Sequence, residues 1–242
     1  MANLTPYETT IRQILKDIPT PDNQGKFWDP TEISFALNLA QIIFCRYAIA
    51  TKQFYFLNKL FYSITTSDSV YTIGSNNEPL ILHPINAKVF NEENELTDAR
   101  LYVGEGLQYI NVGHNACFLV NNTLIFVRRN KQKGNSIPTG GQFNYYREPS
   151  RIYLDSEVLK PVPPQPFEAS FDEYVYSQYI VPYSIVILGM KEITNQRDYK
   201  YYKKFITEIL NMPSNFANYV EDFEFTGLKV RPGRPPKQDI EQ

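Results

Sequence analysis

From Pro6 onward, Tyr7, Ile11, Ile14, Leu15 and Ile18 recur at three- and four-residue steps with polar residues between them. This one-sided stripe predicts an amphipathic helix. Thr5 supplies a capping hydroxyl, Pro6 a first-turn proline and Glu8 a reciprocal carboxylate, so the helix starts here and runs for about three to four turns. Pro19, Pro21 and Gly25 break it in a polar loop that reaches Trp28. Asp29, Pro30 and Glu32 repeat the start signal ahead of Ile33, Leu37, Ala40, Phe44, Tyr47 and Ala48. The opposite face of this longer helix carries Phe35, Leu39 and Ile43, so it is expected to be covered on more than one side.

The period then changes from helical to alternating. Phe54, Phe56, Leu60, Tyr62 and Ile64 read as one long strand, with Ser67-Asp68 turning the chain and Val70 to Ile73 returning as its hairpin partner. Gly74 to Pro79 reads as a loop, Leu80 to Phe90 as a strand interrupted near His83-Pro84, and Asn91 to Glu95 as an acidic turn. Phe118 to Val120 and Leu124 to Val127 flank Asn121-Asn122, a pair that tolerates positive backbone angles and predicts a tight hairpin. Strands are expected from about 54 to 154. Within that range Arg128, Arg129, Lys131 and Lys133 precede Gly134, Ser136, Pro138, Gly140 and Gly141 and predict a basic loop. Its plain reading is a solvated hairpin tip; the sharper one is a channel-facing or partner-facing finger aimed at phosphate or an acidic neighbour.

Lys160 to Phe167 contains four prolines and reads as a stiff extended connector. Ser170 is placed as the cap of a helix with Asp172 and Glu173 in its first turn, continued by the 17-residue uncharged run Tyr174 to Met190, in which Pro182 produces a kink. That run contains Gln178, two serines and four tyrosines, and it reads as a buried helix rather than a membrane span. After a bend at Gly189 to Asn195, Tyr199, Tyr202, Phe205, Ile206, Ile209 and Leu210 recur at helical spacing before Pro213. The expected fold class is therefore α+β: a helical bundle formed by N-terminal and C-terminal helices, with an inserted antiparallel β-rich domain and an extended tail. The boundaries drawn are 1–53 for the N-terminal helices and 54–160 for a sandwich or barrel-like β domain. The C-terminal helices take 161–212, and 213–242 is a strand followed by a basic arm.

Composition narrows the class. The 242 residues include 24 basic and 26 acidic side chains, a formal charge of −2, 43% hydrophobic residues and 2 cysteines. The balance is too even for a general nucleic-acid coat, the apolar share too high for a disordered chain, and the cysteines too few for a disulfide scaffold. Cys45 and Cys117 are expected to be buried thiols. The first ten residues lack the pattern of a signal peptide, so synthesis and function without secretion are expected. Eighteen tyrosines, 16 phenylalanines and one tryptophan exceed what a single core requires. Genomic base bias is a competing source of that excess, but tyrosine favours contacts that are apolar on one side and wet on the other, and the excess is taken to favour assembly.

No phosphate-cradling loop, dinucleotide fingerprint, zinc-protease helix or serine elbow occurs. The two histidines, His83 before a proline and His114 in a glycine-flanked turn, and the pair Glu92-Glu93 read as ordinary polar positions. No catalytic residue, metal ligand or cofactor is assigned, and the chain is expected not to be an enzyme. A glycan-active enzyme would require two facing acids about 5 to 10 Å apart, which the sequence does not suggest. Arg231-Pro232-Gly233-Arg234-Pro235-Pro236-Lys237 is similar to short basic hooks of the DNA minor groove, but one copy beyond a folded body fits a protein-docking segment better. The protein-interface residues assigned to this arm are Phe223, Phe225, Lys229, Arg231, Arg234 and Lys237.

The order of these parts carries a resemblance. The start Phe27-Trp28-Asp29-Pro30-Thr31-Glu32-Ile33, the strand Ser69-Val70-Tyr71-Thr72-Ile73-Gly74, and a proline-rich lead into Phe167, Tyr174 and a long aromatic helix together resemble the head-to-tail adaptor proteins of short-tailed bacteriophages. Among these the ring proteins of crAss-like phages are the nearest in style, over about residues 7 to 225. The resemblance implies a virion structural protein made in the host cytoplasm and placed at the head–tail junction. It implies a ring, commonly a dodecamer, that docks beneath the portal protein, contacts neighbouring copies and the next tail component, and passes DNA through its lumen without sequence-specific binding. No membrane partner is implied. Helices 30 to 50 and 170 to 211 would form the wedge between neighbours, and 227 to 242 the gripping arm. The alternatives are another tail ring or tail-hub protein, and a DNA-binding accessory factor using 128–133 and 229–237.

Overall fold

The computed structural model describes residues 6–15, 28–74, 78–104, 113–130, 135–152, 169–190 and 212–219. The fold is mixed α+β, with several helices and a curled, half-barrel sheet. The chain divides into two compact units, one formed by Met1–Gln53 with Arg151–Gln242 and the other by Phe54–Ser150.

In the first unit α1 spans Pro6–Ile14 and α2 spans Pro30–Ala50. The start of α2 follows directly from its sequence. The Asp29 carboxylate accepts the Thr31 N–H at 2.8 Å while the Glu32 carboxylate accepts the Asp29 N–H at 3.2 Å, so two donors orphaned at the helix end are satisfied reciprocally. Glu8 and Arg12 on α1 are both buried and paired at 2.8 Å, and Arg12 Nη1 also donates to the Trp28 carbonyl at 3.0 Å. This ties α1 to the segment that leads into α2.

A second helical run begins with α3, Glu173–Val175, widens into a π turn over Tyr176–Ile180, and continues as α4, Val181–Met190. Asp172, rather than the expected Ser170, occupies the N-cap position. The wide turn ends at Val181, whose N–H reaches back to the Tyr176 carbonyl, just before Pro182. A proline lacks the donor for a carbonyl four residues back and its ring collides with that carbonyl, and the extra residue in this turn relieves the conflict without ending the helix.

Both α2 and α1 pack on α4. Their core is aromatic: Phe44 lies 5.4 Å from Phe171 and 4.8 Å from Tyr179, and Phe216, in a helical stretch over 214–219, lies 5.1 Å from Tyr47. Much of the aromatic excess thus fills this interior. Phe35 departs from the expected all-round burial of α2, being 65% exposed. By length and composition α2 passes as a membrane span, yet 61% of its most apolar stretch is buried within the fold.

The second unit opens with a 3-10 helix, Phe54–Leu60, where the alternating pattern had predicted the first half of a strand. Its strands are β1, Phe61–Thr66; β2, Val70–Thr72; β3, Ile81–Phe90; β4, Leu96–Val103; β5, Ala116–Val120; β6, Thr123–Arg129; β7, Ser136–Pro138; and β8, Gly141–Arg147. They are ordered β1-β8-β3-β4-β5-β6-β2, with β7 also on β6. The predicted β1–β2 hairpin does not form. Instead β1 pairs with β8 and β2 with β6, because the chain after Thr66 carries β2 to the far edge of the sheet. The predicted Asn121-Asn122 hairpin is present, with φ of 47° and 63° at the two asparagines. The interruption near His83-Pro84 is present as two register shifts on β8.

Residues 96–99 of β4 pair antiparallel with β3, whereas 100–103 pair parallel with β5. This change of partner curls the sheet over a core that includes Ile64, Val89, Cys117, Leu124, Phe126 and Phe143. The tightest approach is at Gly141, where a Cβ would collide with the Lys88 carbonyl oxygen and lie 2.6 Å from Phe126 Cδ1. Overpacking of this kind costs about 1–3 kcal/mol. Gly141→Ala is accordingly expected to lower the urea midpoint of unfolding, while Gly113→Ala, whose Cβ meets nothing within 4 Å, leaves it in place.

Candidate functional site

The bend of β4 creates an open concavity of about 880 Å³ on the second unit. Its acidic wall comes from the turn between β3 and β4. There the Glu95 N–H donates to the Asn91 side-chain carbonyl at 2.7 Å, the Asn91 N–H donates to the Glu95 carbonyl at 2.8 Å, and Asn94 takes φ of 64°. Closing the turn through its own asparagines leaves Glu92 and Glu93 exposed at the rim, where Asp98 of β4 joins them. Arg100 of β4 and Arg128 and Arg129 of β6 add basic groups to the same lining.

Asn115 ties β4 to β6 within this lining. Its main-chain carbonyl accepts the Arg100 N–H at 2.9 Å, its side-chain carbonyl accepts the Arg129 N–H at 2.9 Å, and its amide donates to Thr97 Oγ1 at 3.1 Å. One side chain thereby bridges β4 and β6 where β4 changes partner. Beside it, the Tyr102 hydroxyl and His114 Nε2 lie 2.8 Å apart, the Arg100 guanidinium sits 5.4 Å from the centre of the Tyr102 ring, and Tyr102 stacks on Phe118 at 5.1 Å. Arg128 Nε is buried and has no hydrogen-bond partner among the described residues.

The structure thus brings together Arg128, Arg129, His114, Glu92 and Glu93, which the sequence placed in separate turns and loops. It corrects the setting of the first two: Arg128 and Arg129 lie on a paired strand, opposite Ile137 and Ser136 of β7, and not in a free loop. Lys131 and Lys133 fall outside the described residues, as do Phe223, Phe225, Lys229, Arg231, Arg234 and Lys237. Sequence reasoning passed over Asp98, Arg100 and Asn115, whose proximity depends on pairings between distant strands.

The lining carries three carboxylates, of Glu92, Glu93 and Asp98, and three guanidinium groups, of Arg100, Arg128 and Arg129, so the concavity is a mixed-charge surface. Such a surface suits a nucleic-acid backbone poorly, because the carboxylates repel the phosphate that the arginines attract. Among the described residues no three His, Cys, Asp or Glu side chains gather as a metal site. His83 lies on another part of the sheet, its ring 6.4 Å from that of Phe54.

Burial moves the titration of several groups in the two cores. It pushes the Cys117 thiol up from 9.0 to about 12. It also raises the Tyr7 phenol from 10.0 to about 12, helped by the Glu173 carboxylate that accepts its hydrogen bond at 3.2 Å. Tyr145 and Tyr176 are raised as well, again chiefly by burial. No family model matches the chain, and no curated protein matches it.

Two predictions follow from this geometry. Asn115→Ala, which removes the acceptor of the Arg129 N–H and the amide that donates to Thr97, is expected to cost about 1–3 kcal/mol in a denaturation series. The raised groups keep protons that the unfolded chain releases, so their contribution is complete below pH 9.0 and is lost as pH rises towards about 12. The thermal midpoint is therefore expected to fall across that window, and less steeply at its lower end in Cys117→Ala.

Proposed function

We propose that this protein is a structural subunit of a head-to-tail adaptor ring in a short-tailed virion, docked beneath the portal and continuing the DNA channel towards the tail. In this reading the helices preceding and following the β unit form one bundle with that unit inserted. The wedge between neighbouring copies is built on α2 and the α3–α4 run. The arm over 227–242 grips a neighbour or the portal.

The observation that carries the proposal is the exposure of aromatic side chains on elements whose other faces are filled. Phe35 on α2 and Tyr174 on α3 are 65% and 59% exposed, and Tyr55 and Phe61 of the β unit are 62% and 51% exposed. Single exposed apolar residues are ordinary, but large aromatics are the side chains that most often anchor protein interfaces. A ring multiplies such contacts, so a modest interface becomes durable when many copies engage together. The balanced net charge of −2 suits a lumen that must release DNA.

Imaging of intact particles by cryo-electron microscopy tests the proposal, the expected result being a closed ring of copies beneath the portal. Particles that lack this chain yet stay whole and infectious would overturn it. Paired Phe35→Ser and Tyr174→Ser are expected to leave the thermal midpoint nearly unchanged. Since an aromatic anchor contributes about 2 kcal/mol to an interface, incorporation into particles should fall about ten-fold or more. Duplex-DNA binding by the purified protein that weakens with salt and disappears in Arg128→Ala with Arg129→Ala would favour the accessory-factor reading instead.

A further inference from the structure

The two edges of the curled sheet are protected very differently. One edge, along β6, is occupied by β2 and β7, each of three residues, and β7 ends in Pro138. Short strands and prolines are devices that keep an edge from recruiting another strand. The other edge is β1, six residues reading Phe-Tyr-Ser-Ile-Thr-Thr, without a charge, a proline or a bulge. Its backbone pairs on one side with β8, and no described residue pairs with it on the other. Ile64 faces the core, while Phe61, Ser63 and Thr65 are exposed. An edge this long and uncharged is a template for strand addition.

We infer that β1 is a docking edge for residues 223–230 of a second copy of this chain, an inference that rests on the ring reading above. That segment, Phe-Glu-Phe-Thr-Gly-Leu-Lys-Val, is long enough to span the six residues of β1 and begins with the alternation of a strand. It begins four residues beyond Tyr219, the last described residue. Charge selects the direction. Lys59 precedes β1 and Asp68 follows it, whereas Asp222 and Glu224 lie at the start of the segment and Lys229 and Arg231 at its end. Parallel addition places acid beside lysine at one end and base beside aspartate at the other. Antiparallel addition opposes like charges at both ends. Occupation of each β1 by the next copy's segment is a head-to-tail contact, the kind that closes into a ring.

Cross-linking in the full-length protein tests this. Cys45 and Cys117 are buried, so introduced surface cysteines dominate oxidation. Protein carrying Ser63→Cys alone is mixed with protein carrying Thr226→Cys alone at the highest soluble concentration, and disulfide-linked dimers are measured under mild oxidant. The expected result is a heterodimer band that is lost when Thr65→Lys is added to the first partner, because a lysine on the exposed face guards the edge. Absence of the band, its persistence with Thr65→Lys, or an intrachain link as the main product of the doubly substituted chain overturns the inference. Native mass spectrometry of the unsubstituted protein separates the two proposals. Closed rings without the cross-link remove the edge and leave the ring, whereas the cross-link in species that never close removes the ring and leaves the edge.

Discussion

β4 divides its hydrogen bonds between two partners, and the organisation of the β unit depends on that division. A strand that runs antiparallel to β3 over its first half and parallel to β5 over its second cannot remain in one flat sheet. The two halves fold toward each other, Phe126 of β6 comes down on Gly141 of β8, and a common core closes between them. The same bend opens the concavity in which Asn115 links β4 to β6. Curling stops short of closure, because β1 and β2 at the two ends of the strand order do not pair. The concavity and the core between the two halves of the sheet thus both go back to one change of partner.

The helical unit is held by a different balance. Its aromatic interior supplies the apolar burial, and a few polar bonds fix which surfaces meet. Tyr176 donates to Gln41 at 2.9 Å inside that interior, and the buried Glu8–Arg12 pair is satisfied further by the Trp28 carbonyl. Pairs of this kind contribute little net stability after desolvation, but they penalise alternative packings in which one partner is left alone. Ser34 and Asn38 of α2 perform a similar task on the main chain of Ile152, contacting both its N–H and its carbonyl at 2.9 Å. They fix where the chain rejoins the helices after the β unit.

What could be read from sequence was what is decided locally. The Asp29-Pro30-Glu32 cap, the Asn121-Asn122 turn and the irregularity at His83-Pro84 are each set by neighbours in the chain, and each is present; the two thiols are buried as their apolar character suggests. The reading failed where the deciding contact was distant. Phe54 to Leu60 satisfies an alternating template but winds into a 3-10 helix that leads into β1. Val70 to Thr72 had a plausible partner next door and took β6 instead. The same limit governed the site: charge drew attention to Arg128 and Arg129, but nothing local signals that Asp98 and Arg100 meet them, or that Asn115 spans the gap.

The grip of α2 on Ile152 also bears on biosynthesis. Ser34 and Ile152 are 118 positions apart, and Tyr7 meets Glu173 across 166, whereas the β unit is continuous from Phe54 to Ser150. On a ribosome the first helices emerge early and must wait for their partners, while the sheet already has all its strands. During that interval the greasy 21-residue α2 lacks its cover, so the nascent polypeptide passes through a stage in which sheltering by a chaperone matters most.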